Sequence, residues 1–377
     1  MSMSIPDVVT VGEAMALLIA RQPGALDRVG EFERATAGAE LNVAVGLSRL
    51  GLQVGYVSSL GDDSLGRNLL DFMTAEGIDT RHVRVDARYP TGFMLKTMVE
   101  DGSDPEVEYF RRGSAASHLS PTDVPDGEFR QARLLHLTGI SPALSSGCRE
   151  LVLMMARQAR AAGRIVTFDP NLRPRLWASQ QAMIAGINEV AALADVVMPG
   201  LAEGRLLTGR QHAADIADFY LALGARQVVV KLGAEGAYYA DGRASGDAGI
   251  GGRTSGGAGG AGGGGDNAGG GASGGEGHGG DGGGSDGGSA GGGGSAGGGG
   301  RAGTGAGQRG IAPGVAVARV VDTVGAGDGF AVGVISALLE NLPLAAAAAR
   351  GNAIGARVIQ YRGDCEGLPN RAQLGEA

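Results

Sequence analysis

The chain has 377 residues, 72 of them glycine, and 32 Lys plus Arg against 40 Asp plus Glu give a formal net charge of −8. An acidic balance without a basic block argues against nucleic acid as a main partner. The run Val8–Ala20 contains Glu13 and is too short to span a membrane.

Cys148 and Cys365 lie far apart and form neither a disulfide framework nor a CxxC pair. The first residues lack the basic region of a signal peptide, so the expectation is a cytoplasmic protein. Positive charge is nearly all arginine: Lys96 and Lys231 are the only lysines.

The apolar runs Val8–Val11, Val54–Ser58, Leu134–Thr138, Ile165–Asp169, Val196–Met198 and Val228–Leu232 read as strands of a parallel sheet covered on both faces. Between them lie helical patterns. Leu65, Leu69, Phe72 and Met73 share one face before a Gly77 stop. Leu151, Met154 and Met155 start another helix, which Gly163 ends. This alternation predicts an α/β fold with a doubly wound, mostly parallel sheet flanked by helices. Ligands are expected at the carboxyl ends of its strands. Segments 17–40 and 91–112 lack a helical period and are expected to form a small β lid, or else a pair of surface hairpins.

About 37 of the glycines fall between Gly246 and Gly310, and residues 251–310 contain no Val, Ile, Leu, Met, Phe, Tyr or Trp. Such a stretch has no apolar surface with which to offset its ordering entropy, so no stable structure is expected there. It contains GxGxxG at Gly275, Gly277 and Gly280. No strand precedes it and no helical pattern follows, which excludes a dinucleotide fingerprint. Neither lysine completes a Walker A loop. The five histidines, His82, His118, His136, His212 and His278, lie singly without metal-ligand spacing.

Asp322-Thr323-Val324-Gly325-Ala326-Gly327-Asp328 follows the apolar run Val315–Val321 and precedes a helix with the stripe Phe330, Val334, Ala337 and Leu338. Small residues at a strand-to-helix turn bare successive N–H groups at a positive helix end, an anion hole suited to a transferring phosphoryl group. Asp328 beside it suits a general base that takes an alcohol proton. Taken alone, the motif favours a residue that only complements the helix dipole.

The motif is not alone. Val321–Phe330 resembles the C-terminal signature of the PfkB (ribokinase-like) carbohydrate kinases. Ala37–Ala44 is similar to that family's sugar-binding turn, Leu60–Gly66 to its GxDxxG segment and Lys231–Gly236 to its KxGxxG hairpin. Within the family, Glu40 after Gly38-Ala39, Tyr109–Ala115, His136–Leu144, Asp169–Arg173 with Leu176-Trp177, and Gly363–Gly367 resemble the 2-keto-3-deoxygluconate kinase branch. The resemblance implies a kinase domain over 1–243 and 311–377, with 244–310 as a Gly-rich insertion. It also implies ATP and Mg²⁺ as cofactors, a small sugar acid as substrate and a homo-oligomer.

Residue roles follow from the same resemblance. Asp328 is the base, and Gly325, Ala326 and Gly327 form the anion hole. Gly38, Glu40, Asn42, Tyr109, Arg111 and Arg173 bind the sugar. Guanidinium groups suit its carboxylate because they hold such groups by planar, charge-assisted bonds. Lys231, Gly233, Gly236, Thr323 and Asn352 lie along the nucleotide, and Glu203 organises the metal indirectly. Arg81, Arg112 and Arg175 read as solvated surface residues. Two departures stand out: Gly200 where the NxxE motif has Asn or Ser, and Met94 where a second lid tyrosine is usual. The alternatives are a fructokinase-like enzyme for a neutral sugar, and a degenerate kinase that acts as an interaction protein.

Overall fold

Two hydrophobic clusters on opposite faces of one sheet account for the architecture. The computed structural model describes residues 5–99, 105–124, 129–242 and 307–375. In chain order the first elements are β1 (Val8–Val11), β2 (Met15–Ala20), β3 (Phe32–Ala37), α1 (Ala39–Arg49), β4 (Val54–Gly61) and α2 (Ser64–Ala75). Then come β5 (Asp79–Asp86), β6 (Phe93–Lys96), β7 (Val107–Phe110), β8 (Leu134–Thr138), α3 (Ser141–Leu144), α4 (Ser146–Ala161) and β9 (Ile165–Asp169). They are followed by α5 (Gln180–Ala191), β10 (Val196–Val197), α6 (Leu201–Thr208), α7 (Ala213–Leu223), β11 (Gln227–Lys231) and β12 (Gly236–Asp241). The last are β13 (Arg309–Pro313), α8 (Ala326–Leu339) and α9 (Leu344–Val358).

Nine strands form the main sheet in the order β13-β12-β11-β10-β9-β8-β1-β4-β5. Its pairs from β11 to β5 are parallel, and β12 and β13 close one edge antiparallel. Adjacent strand residues serve opposite faces. Val8 packs with Leu41, Leu69, Phe330 and Ile354 on the side of α1, α2, α8 and α9. Val9 and Val11 pack with Leu151, Ile187, Leu207 and Ile216 on the side of α4, α5, α6 and α7. That is why the strands read as continuous apolar runs. Each fully buried large side chain contributes about 1.5–3 kcal/mol.

The lid is a second sheet of four strands, β3-β2-β6-β7, with β2 and β6 parallel and the outer pairs antiparallel. Its own small core holds Met15, Leu17, Ile19, Ala37 and Met94.

Several expectations need correction. The first lid segment starts at Met15 rather than at residue 17. It stops at Ala37, because Ala39 already opens α1. Helix α4 begins five residues before Leu151, where the Ser145 hydroxyl accepts from the Cys148 N–H at 3.1 Å and caps it. Val315–Val321 is not a strand. Val315 and Val320 are exposed and the run pairs with nothing in the main sheet, whose edge is β13. The turn before α8 is therefore a loop-to-helix turn. Helix α8 shows no single apolar stripe: it is buried from Asp328 to Leu339, because α1 and α9 pack against it as well as the sheet.

The Gly-rich segment lies outside the described residues from 243 to 306, as do its GxGxxG run and His278. Its last two residues, Arg309 and Gly310, belong to β13. The flanking chain is in register, with Ala240 opposite Arg309 and the Asp241 N–H donating to the Gln308 carbonyl at 2.9 Å. A short turn can therefore join β12 to β13. Loop closure costs only about 0.6 kcal/mol per doubling of length. Replacing residues 243–306 with a short Gly-Ser turn is expected to raise the melting temperature by a few degrees. Michaelis constants for nucleotide and sugar should stay within about twofold, and a large rise in the nucleotide constant would show that the segment reaches the site.

Candidate active site

The carboxyl ends of β1, β8, β9 and β11 converge where the chain leaves β1 for β4 on one side and returns to β8 on the other. Such a switch point leaves a crevice for a ligand. Asp328 enters this crevice from the first turn of α8 and is 8% exposed. Asn42 on α1 donates its Nδ2 to Asp328 Oδ2 at 2.7 Å. Asn171, just past β9, approaches Oδ1 with its Nδ2 at 3.4 Å. Asn171 holds a φ of 38°, a left-handed conformation uncommon outside glycine. Burial raises the Asp328 carboxyl to about 7, and the charges of Asp169 and Asp364 add to the rise against the Asn42 hydrogen bond and Arg173. A carboxylate titrating there is matched to general-base work near neutral pH.

The anion hole is only partly as expected. Gly325 takes a φ of 83° as the N-cap of α8, and a Cβ there would meet the Asp364 carbonyl oxygen at 2.4 Å. Only glycine serves at this position. The first N–H groups of a helix have no partner within it. The Ala326 N–H turns back to the Thr323 carbonyl through a long 3.4 Å bond. Gly327 faces Lys231, whose Nζ would lie 3.5 Å from a Cβ there.

Lys231, at the end of β11, donates to Asp169 Oδ2 at 2.7 Å. Burial disfavours its ammonium, but Asp169 and Glu203 more than offset that and hold its pKa above the usual lysine range. Gly233 and Gly236 bound the tight turn that follows Lys231 and leads into β12. Asn352 is spent on structure, since its Nδ2 donates to the Ala312 and Pro313 carbonyls at 3.0 Å and ties α9 to β13. Glu203 accepts from the Leu172 N–H at 2.8 Å and the Gly200 N–H at 2.7 Å. It clamps the loop after β9 to the start of α6, and Gly200 returns no side-chain bond. Among the described residues no three or more His, Cys, Asp or Glu side chains are placed to hold a metal ion together. That donor set fits a magnesium ion carried on phosphate oxygens and water rather than in a protein cage.

On the sugar side, Gly38 is the N-cap of α1. Glu40 is buried and its Oε1 accepts from the Thr138 and Ser141 hydroxyls, each at 2.7 Å. Burial raises its pKa against these bonds. A Cβ at Gly12 would lie 2.4 Å from the Glu40 carboxyl, so the residue after β1 must be glycine to admit it. A cleft of about 1050 Å³ opens between the lid and the loop after β9, lined by Tyr109, Arg111, Arg112, Arg173 and Arg175 among others. Arg112 and Arg175 line this cleft and are solvent-exposed, as expected of surface arginines. Arg81 does pair locally, with Asp79 at 2.6 Å.

Arg111 is not free as expected. It is buried and forms an ion pair with Glu13, which also accepts from the Ser114 hydroxyl. Arg173 donates to the Leu172 carbonyl at 2.9 Å, and its charge reaches Asp328. Met94 faces the lid core, away from the role of a second tyrosine.

Sequence reasoning assigned no role to Glu13, Lys96, Asp169, Asn171, Asp322 or Asp364. One signal was available in composition: the chain has only two lysines, and the structure finds both ion-paired to aspartates.

Comparison with known proteins agrees with this geometry. The family model described as pfkB family carbohydrate kinase matches residues 6–251 and 297–371. A 2-dehydro-3-deoxygluconokinase of Bacillus subtilis is 40% identical over 369 residues, 98% of this chain and 94% of that protein. The crystal structure of a PfkB protein from Polaromonas is 43% identical, with TM-score 0.75 and coverage of 99% of this chain and 100% of that one. An Escherichia coli ribokinase-type protein in complex with ATP and Mg²⁺ shares the fold at 21% identity, with TM-score 0.74 and 98% of each chain covered. The buried Asp328, at the glycine-bounded start of α8, lies within the matched residues, and the chain belongs to the pfkB family of carbohydrate kinases.

Proposed function

We propose that the chain transfers the γ-phosphoryl group of ATP to the terminal hydroxyl of 2-keto-3-deoxygluconate (2-dehydro-3-deoxygluconate), giving the 6-phosphate. The observation that carries this reading is the cleft lined by Arg112, Arg173 and Arg175, beside the β9 loop whose Asn171 reaches Asp328. Planar guanidinium groups recognise a carboxylate, which a sugar acid has and a neutral ketose lacks. The 2-dehydro-3-deoxygluconokinase relative supports the same choice.

In the reaction Asp328 accepts the proton of the sugar hydroxyl as its oxygen bonds to the γ-phosphorus and the bond to the ADP oxygen breaks. Asn42 and Asn171 orient the carboxylate. The first turn of α8 and Lys231 stabilise charge on the transferring group. Magnesium on the nucleotide phosphates would supply further neutralising charge. The kinase body is read as 1–243 and 311–377, with the Gly-rich segment contributing no reacting group. Both cysteines are free thiols, which supports a cytosolic setting. The exposed lid residues Tyr109 and Phe110 support pairing of two copies, which sedimentation would register as a dimer.

Parallel assays with 2-keto-3-deoxygluconate and fructose test the assignment. The sugar acid is expected to be favoured in kcat/KM by at least about 100-fold, and equal or reversed preference refutes it. Arg173→Ala is expected to lower that preference about 10–100-fold, the loss of one charge-assisted bond. Equal losses on both sugars would show that Arg173 acts on phosphate or on structure.

Asp328→Asn is expected to retain nucleotide binding and to lower kcat about 10²–10⁴-fold. In the wild type kcat/KM should fall as pH drops below about 7, the value to which burial raises Asp328. Stability runs the opposite way. Native Asp328 stays protonated from about pH 4 to about 7 while the unfolded chain ionises. The native state therefore binds more protons, and stability is lost as pH rises through that window. Melting temperatures should show Asp328→Asn gaining on the wild type from pH 4 to pH 8; a constant difference would mean that Asp328 titrates normally.

A further inference from the structure

Lys96 is the last residue of β6 in the lid and is 2% exposed. Its Nζ lies 2.5 Å from Asp322 Oδ2 and 3.1 Å from Asp364 Oδ1, and both carboxylates are buried. Burial disfavours the ammonium, but the two carboxylates outweigh it and raise the lysine pKa. One ammonium between two carboxylates leaves a net negative charge in the interior. Buried ion groups of this kind add little net stability over a well-packed apolar replacement. Stability alone is a poor account of the cluster.

Its position offers a better one. Asp322 and Asp364 flank the turn that starts α8. Asp322 Oδ1 accepts from the Val324 N–H at 3.0 Å, and the Asp364 carbonyl lies directly against Gly325. One carboxylate therefore holds the first amide of the turn, and the backbone of the other sets where its N-cap can sit. The lysine joins both to the lid. Strand β6 in turn pairs with β7, with Met94 opposite Tyr109 and Lys96 opposite Val107, and β7 runs on to Arg111 in the sugar cleft. Lysine suits the place because its compact ammonium fits between two carboxylates, where a planar guanidinium would need more room.

We propose that Lys96 is a positioning residue that fixes the Val324–Gly327 turn in its phosphoryl-stabilising shape and couples that turn to the lid. It touches neither sugar nor phosphate. The proposal rests on the phosphoryl-transfer reading, but not on the identity of the sugar.

The test compares full-length wild type, Lys96→Met and the charge-compensated double variant Lys96→Met/Asp364→Asn. Amide hydrogen exchange is read without substrate on peptides covering 322–328 and on the interior of α8. Amides of 324–327 are expected to exchange at least tenfold faster in both variants, while residues 330–338 stay within twofold of wild type. With the accepted sugar, kcat should fall thirtyfold or more while KM for ATP stays within threefold. A merely structural pair predicts instead that the double variant, which keeps the net charge of the cluster, exchanges and turns over like wild type. That result, or wild-type exchange at 324–327 in Lys96→Met, overturns the proposal. If Lys96→Met does not accumulate as folded protein, the double variant decides alone. Should wild type phosphorylate no sugar, the functional reading fails separately, and exchange still decides the role of Lys96.

Discussion

Keeping one carboxylate buried, uncompensated by direct ion pairing and able to take a proton is the electrostatic constraint that the rest of this site serves. Asp328 is surrounded by other acids, yet each of those is bound to donors of its own. Lys231 holds Asp169, and Lys96 holds Asp322 and Asp364. Two backbone N–H groups hold Glu203, and two hydroxyls hold Glu40. Arg111 and Ser114 hold Glu13. Asp328 is held by side-chain amides, from Asn42 and Asn171, and by no cation. A neutral donor orients a carboxylate without stabilising its charge as strongly as a cation would. Burial then dominates, and the group titrates near neutrality.

The sheet topology makes this distribution possible. Parallel strands deliver their carboxyl ends to one edge, so Glu13, Thr138, Asp169 and Lys231 arrive together from β1, β8, β9 and β11. The α8 helix brings Asp328 from the opposite direction, with its positive end forward. Both faces of the sheet are packed, which leaves the strand ends little freedom to shift. A rigid frame of this kind is what positioning-dominated phosphoryl transfer requires.

The lid is joined to that frame largely by buried ion pairs. Its own core is small, so most of its hold on the body comes from polar contacts: Arg111 with Glu13 on one side, Lys96 with Asp322 and Asp364 on the other. These contacts are directional, and they set the lid against both the sugar cleft and the catalytic turn. Arg112 and Arg175 line the cleft from the lid side and the β9 loop while remaining solvent-exposed.

The strands β8 and β9, the stop of α2 at Gly77 and the Lys231–Gly236 turn were legible in the sequence, because each is set by local pattern. So was Asp328, through its glycine-rich turn. The run Val315–Val321 misled, since apolar composition makes a strand only where a partner strand is available. The ion pairs were beyond the sequence for a physical reason. Lys96 finds Asp364 across 268 positions, and Lys231 finds Asp169 across 62. No local periodicity records which charge a folded chain will bring beside another. The sequence determined the elements and the place of Asp328 at its turn; tertiary structure decided which acids would be ion-paired, and left Asp328 held by side-chain amides instead.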